Sequence, residues 1–470
     1  MSFISIEFAF FCVIVFATYY IVSKRYRYIV LAIASYIFYA VCDFKYIFLL
    51  FAITVVTYIG AQLARTKYRK ISYFFTLGCV VGVLLFFKVG IWGSCRLNLI
   101  LPIGLSFYTL QALGYLMDVY NGKSTVEKNF LKYSLFVSFF LTIVSGPIER
   151  SGNLLKQIQE GTDFSYDRAK KGILRIIYGC FQKALIADRI GILTNEAFSN
   201  FEGYTGAALM WAVVLYGIQI YADFSGYSNI VIGIGNLLGF DLIDNFKQPY
   251  FSKGIKEFWS RWHISLSSWL KEYIYIPLGG NRCGKLRMYS NLIITFLISG
   301  IWHGTGWNYI IWGGLHGVYQ VIGKATLQYR SKLKEKLGIN YNCFSFRWGQ
   351  GLITFILVDF AWLFFGASST STAIKILKEI IMNFQFGNTL SKESYLFGMS
   401  EKRYIILIME IISVMLIDVL HEKNISIKIF LEEQNILFRW IIYIIIVLVV
   451  LIGIIYNYGI ETSNFIYTRF

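Results

Sequence analysis

Long apolar runs separated by short polar stretches make up most of this chain of 470 residues. A helix needs about 20 mostly apolar residues to cross a bilayer. The clearest runs cover residues 3–23, 46–64, 73–87, 130–146, 207–221, 404–420 and 440–456. Shorter or more polar runs lie near residues 29–42, 100–118, 172–194, 227–240, 290–301, 308–323 and 350–366. The pattern predicts an all-α polytopic membrane protein with about ten to twelve membrane segments, some of them re-entrant.

The composition supports a place in the bilayer. Hydrophobic residues make up 56% of the chain and charged residues only 15%, whereas soluble proteins carry about 25% charged residues. The run at 3–23 has no basic leading region and no small-residue cleavage site before Lys24. We therefore expect it to be the first span of the mature protein, not a cleaved signal.

The formal net charge of +17 does not indicate nucleic-acid binding, because the basic residues form no continuous stripe. They lie in short clusters between apolar runs: Lys24, Arg25 and Arg27; Arg65, Lys67, Arg69 and Lys70; and Lys324, Arg330, Lys332, Lys334 and Lys336. Loops rich in Lys and Arg stay on the cytoplasmic side of a membrane. Two apolar segments separate the first two clusters, so both fall on one face, and the N-terminus is predicted to lie outside.

No linker, low-complexity tract or repeat was found to divide the chain, so we interpret residues 1–470 as one integral membrane domain. Its expected parts are N-terminal spans (1–99), a core with the site (100–366), a polar loop (367–403) and C-terminal spans (404–470). Within the loop, residues 372–382 have the amphipathic pattern of a helix lying on the membrane surface.

The chain has seven cysteines, and none forms a CxxC pair. We predict neither a disulfide framework nor a metal site. Most of the cysteines fall in apolar segments and are interpreted as small buried hydrophobic residues.

The middle of the chain differs from both ends, because polar and aromatic residues interrupt its apolar runs from about residue 221 to 320. Polar groups at membrane depth are costly and usually face a bundle interior or a water-filled cavity. Three of the four histidines fall in this stretch. We therefore expect the functional centre there.

His303 follows an apolar run and lies among glycines, between Trp302 and Trp307. An imidazole displayed there can accept and return a proton near neutral pH. The alternative is a structural histidine that binds a backbone carbonyl where a helix breaks.

His263 lies beside Trp262 at the edge of an aromatic stripe. The stripe comprises Ile255, Phe258, Trp259, Trp262, Leu266, Trp269, Leu270 and Tyr273. Spacings of three and four predict one amphipathic helix, which either lines a cavity or forms an interfacial aromatic belt.

The other two histidines have simpler interpretations. His316, in the segment WGGLHG, is interpreted first as a packing residue beside glycines that permit close helix contact. A role in substrate binding is the alternative. His421 follows an apolar run and is interpreted as an interfacial loop residue.

Two further segments carry candidate binding residues. Asp223 and Ser225 lie in YADFSGYS, where the acid could orient a histidine or bind a hydroxyl, and where Ser225 or Ser228 could instead cap a helix. The loop PLGGNR is followed by more basic residues, and its cations are candidates for phosphate binding or for an ordinary cytoplasmic basic loop: Arg282, Lys285 and Arg287.

These segments together resemble the membrane-bound O-acyltransferases, most closely the branch that O-acetylates alginate and peptidoglycan. The motifs that carry the resemblance are 258–267 (FWSRWHISLS), 269–282 (WLKEYIYIPLGGNR), 300–304 (GIWHG) and 312–317 (WGGLHG). Further matches are 223–228 (DFSGYS), 245–249 (NFKQP), 145–147 (SGP) with Arg150, and 183–189 (KALIADR). The resemblance covers at least residues 100–366, and the motifs occur in a specific order and spacing.

The resemblance implies a helical bundle around a central tunnel, with His303 as catalytic residue and His263 as a second important polar residue. Trp262 and Trp302 flank this pair and are taken as candidate substrate-binding residues. Asn229 stands where relatives often have an acid, and Gly366 where many have arginine. Relatives that transfer D-alanine to teichoic acid share the histidine motifs but usually lack PLGGNR, which favours acetyl transfer.

The resemblance also implies the substrates and the location. Acetyl-CoA is the expected acyl donor, and no tightly bound cofactor is expected. The expected acceptor is an extracytoplasmic glycan such as alginate, cellulose or peptidoglycan, reached through a separate extracytoplasmic acetyltransferase. The expected location is the bacterial cytoplasmic (inner) membrane.

The mechanism that follows uses His303 as general base on an acceptor hydroxyl and His263 to orient the thioester or stabilise the oxyanion. An acetyl-histidine intermediate is the variant. Other classes remain open from the sequence: a transporter or flippase, a scaffold of an envelope complex, or a D-alanyl, lipid or protein acyltransferase.

Overall fold

The computed structural model describes residues 3–90, 101–338, 340, 343–384 and 395–456. Within these ranges the chain is helical and has no β-strand. The first helices are α1 (Ile6–Ile21), α2 (Arg27–Asp43), α3 (Ile47–Leu63), α4 (Arg69–Gly90), α5 (Leu105–Tyr120), α6 (Phe130–Ser138), α7 (Lys156–Glu160), α8 (Tyr166–Cys180), α9 (Asp188–Ser199) and α10 (Gly206–Leu237). They are followed by α11 (Ile255–Arg261), α12 (Ile264–Leu270), α13 (Lys285–His303), α14 (Trp307–Ala325), α15 (Leu327–Lys336), α16 (Phe344–Gly366), α17 (Thr370–Met382), α18 (Glu401–Glu422), α19 (Ile427–Glu432) and α20 (Ile436–Tyr456).

Six helical stretches of the described chain are long and apolar enough to cross a membrane: Lys24–Leu63, Arg69–Lys88, Gly206–Leu237, Phe344–Gly366, Glu401–Glu422 and Ile436–Ile455. The predicted polytopic, all-helical architecture is therefore confirmed. The other helices of the bundle are shorter or more polar. The amphipathic segment predicted at 372–382 forms α17, and Cys95 lies outside the described residues.

Helix α10 occupies the centre of the bundle. It is 32 residues long, and 78% of its most apolar window is buried inside the protein. A Cβ added at Gly179 or Gly172 of α8 would lie 2.6 Å from the carbonyl oxygen of Gly226 or Gly233 of α10. Such close backbone approach needs glycine, as is common where helices associate in membranes. The continuous helix also corrects one alternative, because neither Ser225 nor Ser228 caps a helix here.

The segment 130–146, predicted as a membrane span, forms a helix only as far as Ser138. Phe139 has φ −52° and ψ 117°, which ends α6. The irregular chain that follows is buried, with Leu141 and Ser145 both 0% exposed, and the Phe140 amide donates to Ser35 Oγ of α2 at 3.1 Å. Non-helical backbone is tolerated at membrane depth only where protein covers it. The apolar run therefore reflects burial in protein, not a crossing.

Helices α13 and α14 form a tight hairpin through glycines. A Cβ at Gly313 would lie 3.2 Å from Gly300 Cα and would overlap the Phe296 carbonyl oxygen. This contact positions the last turn of α13, where His303 lies.

Replacing Gly313 with alanine is expected to lower the stability of the purified protein in detergent by about 1–3 kcal/mol, because an overpacked contact forces the helices apart. The matched control is Gly314→Ala, since a Cβ there meets only Leu297 Cδ2 at 3.8 Å. Thermal unfolding of the two variants checks the prediction. Equal stabilities would contradict the close packing of this hairpin.

Candidate functional site

The aromatic stripe at residues 255–273 does not form one helix, so that prediction was wrong. Helix α11 ends at Arg261, and α12 begins at Ile264 after a break at His263, which has φ 42° and ψ 53°. Non-glycine residues rarely adopt this left-handed conformation. Helical periodicity remains on either side of the break, so the pattern could not reveal it.

Asn245, from the segment NFKQP, holds the broken chain in place. The Ile264 amide donates to its carbonyl oxygen at 3.0 Å, and Ser265 Oγ donates to its side-chain oxygen at 2.7 Å. The Lys247 amide also donates to the Arg261 carbonyl oxygen at 3.0 Å. These bonds satisfy backbone groups at the ends of α11 and α12 that no helix can satisfy.

The break sends two neighbouring rings to different partners. Trp262 is 1% exposed and packs with the Phe246 and Trp362 rings, each at a centroid distance of 5.0 Å. His263 is 0% exposed and lies 4.7 Å from the Phe224 ring of α10. Trp262 therefore anchors the turn, and His263 enters the cluster of residues around the end of α13.

The stability of variants at position 263 is expected to follow how well each new residue tolerates a positive φ. Glycine and asparagine should keep the fold, whereas valine should lower stability by about 1–2 kcal/mol beyond the loss of the ring, because a β-branched residue resists the left-handed region. Thermal unfolding in detergent measures the ranking. A valine variant as stable as the glycine variant would contradict the left-handed turn.

His303 is the last residue of α13 and is 2% exposed. The helix ends because Gly304 turns to an extended conformation while its amide still donates to the Gly300 carbonyl oxygen at 3.1 Å. Aromatic rings surround the imidazole, with Trp312 of α14 at 5.0 Å and Phe365 of α16 at 5.3 Å between centroids. Helices α14 and α16 thus both supply rings that pack against the imidazole.

The structure brings His263 and His303 together. Their ring centroids are 6.4 Å apart at an interplanar angle of 60°, close enough for one small bound group to contact both rings. Forty positions separate the two residues in sequence, so their proximity depends on the packing of the His263 turn against the end of α13. An imidazole pair of this kind can accept a proton and donate a hydrogen bond to a single reacting group.

Trp302 anchors the last turn of α13 to its neighbours. Its Nε1 donates to the Ser106 carbonyl oxygen at 3.2 Å, and its ring lies 5.2 Å from that of Phe107. Its own carbonyl oxygen accepts a hydrogen bond from Lys88 Nζ of α4. Lys88 was missed by sequence reasoning, which ended the apolar run at Phe87. A cation at the last position of a span was the available signal.

His316 lies behind the wall formed by Trp312, whose ring is 5.2 Å from it. Its Nδ1 accepts a hydrogen bond from Trp259 Nε1 at 3.2 Å, and its ring is 0% exposed. This geometry supports the packing interpretation. His421 is exposed in the last turn of α18, so the prediction that it lies in a loop was wrong.

Asp223 and Ser225 face α8 and the chain that follows it. Lys183 Nζ lies 2.7 Å from Asp223 Oδ1 and 2.6 Å from Asp188 Oδ1, which joins the segments KALIADR and DFSGYS in a buried ion cluster. Ser225 Oγ donates to Gln182 Oε1 at 3.4 Å. Asp223 thus binds a lysine that sequence reasoning did not assign to it.

The two positions that depart from the family pattern are also occupied by defined contacts. Asn229 accepts from Arg175 Nε at 2.9 Å and donates to Gln182 Oε1 at 2.8 Å. At Gly366, a Cβ would lie 2.7 Å from the Tyr216 ring, so this chain has no space for a side chain there in its present packing.

Arg282, Lys285 and Arg287 are exposed at the beginning of α13. His303 is at the other end of the same helix, about 27 Å away at 1.5 Å per residue. The structure therefore separates the candidate phosphate-binding cations from the imidazole pair by most of a membrane thickness.

Access to the imidazole pair is closed in this structure, since both rings are almost fully buried. A surface cavity of about 350 Å³ is lined by Ala64, Arg65, Arg69, Tyr120, Asn121 and Gly122, and no histidine lines it. The central tunnel expected from the sequence stays a prediction.

Comparison with known proteins agrees with this architecture. Residues 123–348, which include both His263 and His303, match the sequence model of MBOAT, the membrane-bound O-acyltransferase family. The chain is 38% identical over 377 residues to the probable alginate O-acetylase AlgI of Pseudomonas syringae pv. tomato, covering 76% of this chain and 70% of that protein. It is 35% identical to the peptidoglycan O-acetyltransferase of Helicobacter pylori, covering 75% and 73%.

A more distant relative is the teichoic acid D-alanyltransferase of Bacillus subtilis, which is 30% identical over 57% of this chain and 72% of that protein. The family, the helical bundle and the resemblance noted from the motifs agree with one another. The chain belongs to the membrane-bound O-acyltransferase family.

Proposed function

We propose that this protein transfers acetyl groups from cytosolic acetyl-CoA across the membrane toward an extracytoplasmic polysaccharide. The observation that carries the proposal is the buried pair of His263 and His303, whose rings lie 6.4 Å apart at the end of α13. The relatives named as alginate O-acetylase and peptidoglycan O-acetyltransferase support acetyl as the transferred group.

In the proposed reaction, His303 accepts the proton of the acceptor hydroxyl as its oxygen attacks the thioester carbonyl. The carbon–sulfur bond then breaks, and the CoA thiolate takes the proton from His303. His263 donates a hydrogen bond to the oxyanion or holds the thioester. Proton transfer by a positioned base contributes about 10²–10⁴-fold to rate.

The donor is proposed to enter from the basic face of the bundle. Lys24 pairs with Asp163 at 2.6 Å, and Arg27 donates to the Thr162 carbonyl oxygen at 2.8 Å, so this turn lies at one end of the helices. Lysine- and arginine-rich turns favour the cytoplasmic side, which would place the N-terminus outside. Arg282, Lys285 and Arg287 would then meet the phosphates of CoA on that side.

The acceptor is proposed to approach from the opposite side, with a separate extracytoplasmic transferase that completes delivery to the glycan. Because both imidazoles are buried, the reaction requires the helices around His303 to open on each side.

The test uses inverted membrane vesicles whose membranes hold the full chain. Acetyl-CoA labelled in the acetyl group is added to the outside, which is the cytoplasmic face. In the vesicles we expect cleavage of the thioester. In intact cells we expect O-acetyl esters on envelope glycans, measured by mass spectrometry, that cells without the protein lack. D-Alanyl esters, long-chain acyl esters or transport without consumption of acetyl-CoA would each overturn acetyl transfer.

A further inference from the structure

Lys88 is a buried cation in contact with the helix that ends at His303. It lies in α4, and it is 4% exposed. Its Nζ donates to the carbonyl oxygen of Trp302 and lies 5.6 Å from the centroid of the Trp302 ring. Burying an ammonium is costly, so a lysine that remains at this position calls for a physical explanation.

Its hydrogen-bond partner belongs to the last turn of a helix. The final four carbonyl groups of a helix have no intrahelical donor, and the carboxyl end of a helix carries partial negative charge that favours a cation. Lys88 therefore supplies, from another helix, the cap that the end of α13 lacks. It fixes the backbone one residue before His303.

The Lys88 side chain also lies near the His303 imidazole, because the residue that it binds directly precedes His303. Lys88 from α4 and His263 from the turn between α11 and α12 are two titratable groups near His303. Trp312 of α14 and Phe365 of α16 contribute aromatic rings. In the described part of the chain, no carboxylate forms an ion pair with Lys88, so its positive charge is not offset by a salt bridge there.

We propose that Lys88 is a positioning residue for His303. Its side chain holds the last turn of α13 through the Trp302 carbonyl oxygen, so that the His303 ring is kept where it can accept the acceptor's proton. The inference rests on the proposed function, because it assumes that His303 is the base.

The experiment compares Lys88→Met and Lys88→Arg with the unmodified protein in vesicles, with rates divided by the amount of monodisperse protein. Lys88→Met is expected to lower the rate at saturating acetyl-CoA by about 10- to 100-fold, because a displaced catalytic group is costly. The loss should fall on kcat and leave the KM for acetyl-CoA unchanged, because the interaction that is lost positions His303 and does not bind the donor. Lys88→Arg should keep most of the rate, because a guanidinium can still donate to the Trp302 carbonyl oxygen.

The matched control is Lys70→Met, which removes an exposed lysine from the other end of the same helix and should change neither quantity. A normal rate in Lys88→Met overturns the inference. So does an equally low rate in Lys88→Met and Lys88→Arg, since a loss of packing alone gives that result. Activity in His303→Ala overturns the proposed function itself, whereas an inactive His303→Ala beside a normal Lys88→Met overturns only this inference.

Discussion

Replacing His303 with alanine is expected to reduce acetyl transfer by about 10²–10⁴-fold, the contribution typical of a positioned general base. The residue lies at the end of α13 and is 2% exposed. Its removal leaves the hairpin glycines and the Trp302 anchor in place, so the fold should survive. The measurement is thioester cleavage and glycan acetylation, each divided by the abundance of the protein in the membrane.

His421→Ala is the matched control, because it removes an exposed histidine of α18 and should leave transfer unchanged. Full activity of His303→Ala at normal abundance would remove the catalytic role from this residue. It would also leave the imidazole pair as a packing feature.

Replacing Lys183 with methionine is expected to lower the free energy of unfolding by about 3–5 kcal/mol, the usual cost when one partner of a buried ion pair is removed. Lys183 is 12% exposed and Asp223 only 2% exposed at the side chain, and Asp188 is 11% exposed. Without the lysine, the buried carboxylates of Asp188 and Asp223 lose the cation that both of them contact. The change in stability is measured in detergent, as the loss of monodisperse protein on heating.

A surface pair provides the control for this prediction. Lys24 and Asp163 are 44% and 76% exposed, and exposed pairs contribute about 0–1 kcal/mol, so Lys24→Met should change stability little. A triple variant that also converts Asp188 and Asp223 to asparagine should recover part of the loss. If Lys183→Met is as stable as Lys24→Met, the buried cluster does not stabilise the bundle.

The position of the candidate site along the chain could be predicted, because polar residues that interrupt apolar runs are costly in a membrane. That cost located His303 at the end of an apolar run, and the structure places it at the end of α13. The amphipathic helix α17 could also be predicted, because the spacing of hydrophobic residues shows which face of a segment is apolar.

Contacts between distant segments could not be read from local spacing. Lys88 and Trp302 are 214 positions apart, and the pairing of Lys183 with Asp223 depends on how α10 packs against the chain after α8. Burial by protein also resembles burial by lipid in an apolar run, which is why residues 130–146 were predicted as a span. The left-handed residue at 263 changes no hydrophobic position and therefore leaves no trace in the periodicity.

The break at His263 has a consequence for how this segment tolerates changes in length. Trp262 and His263 are consecutive, yet each fills a different environment, and hydrogen bonds from residues 245 and 247 fix both ends of the turn. Deleting one residue just before Trp262 would put the imidazole where the indole packs, and inserting one there would put the indole where the imidazole packs. Relatives that keep this arrangement should therefore show no length variation here.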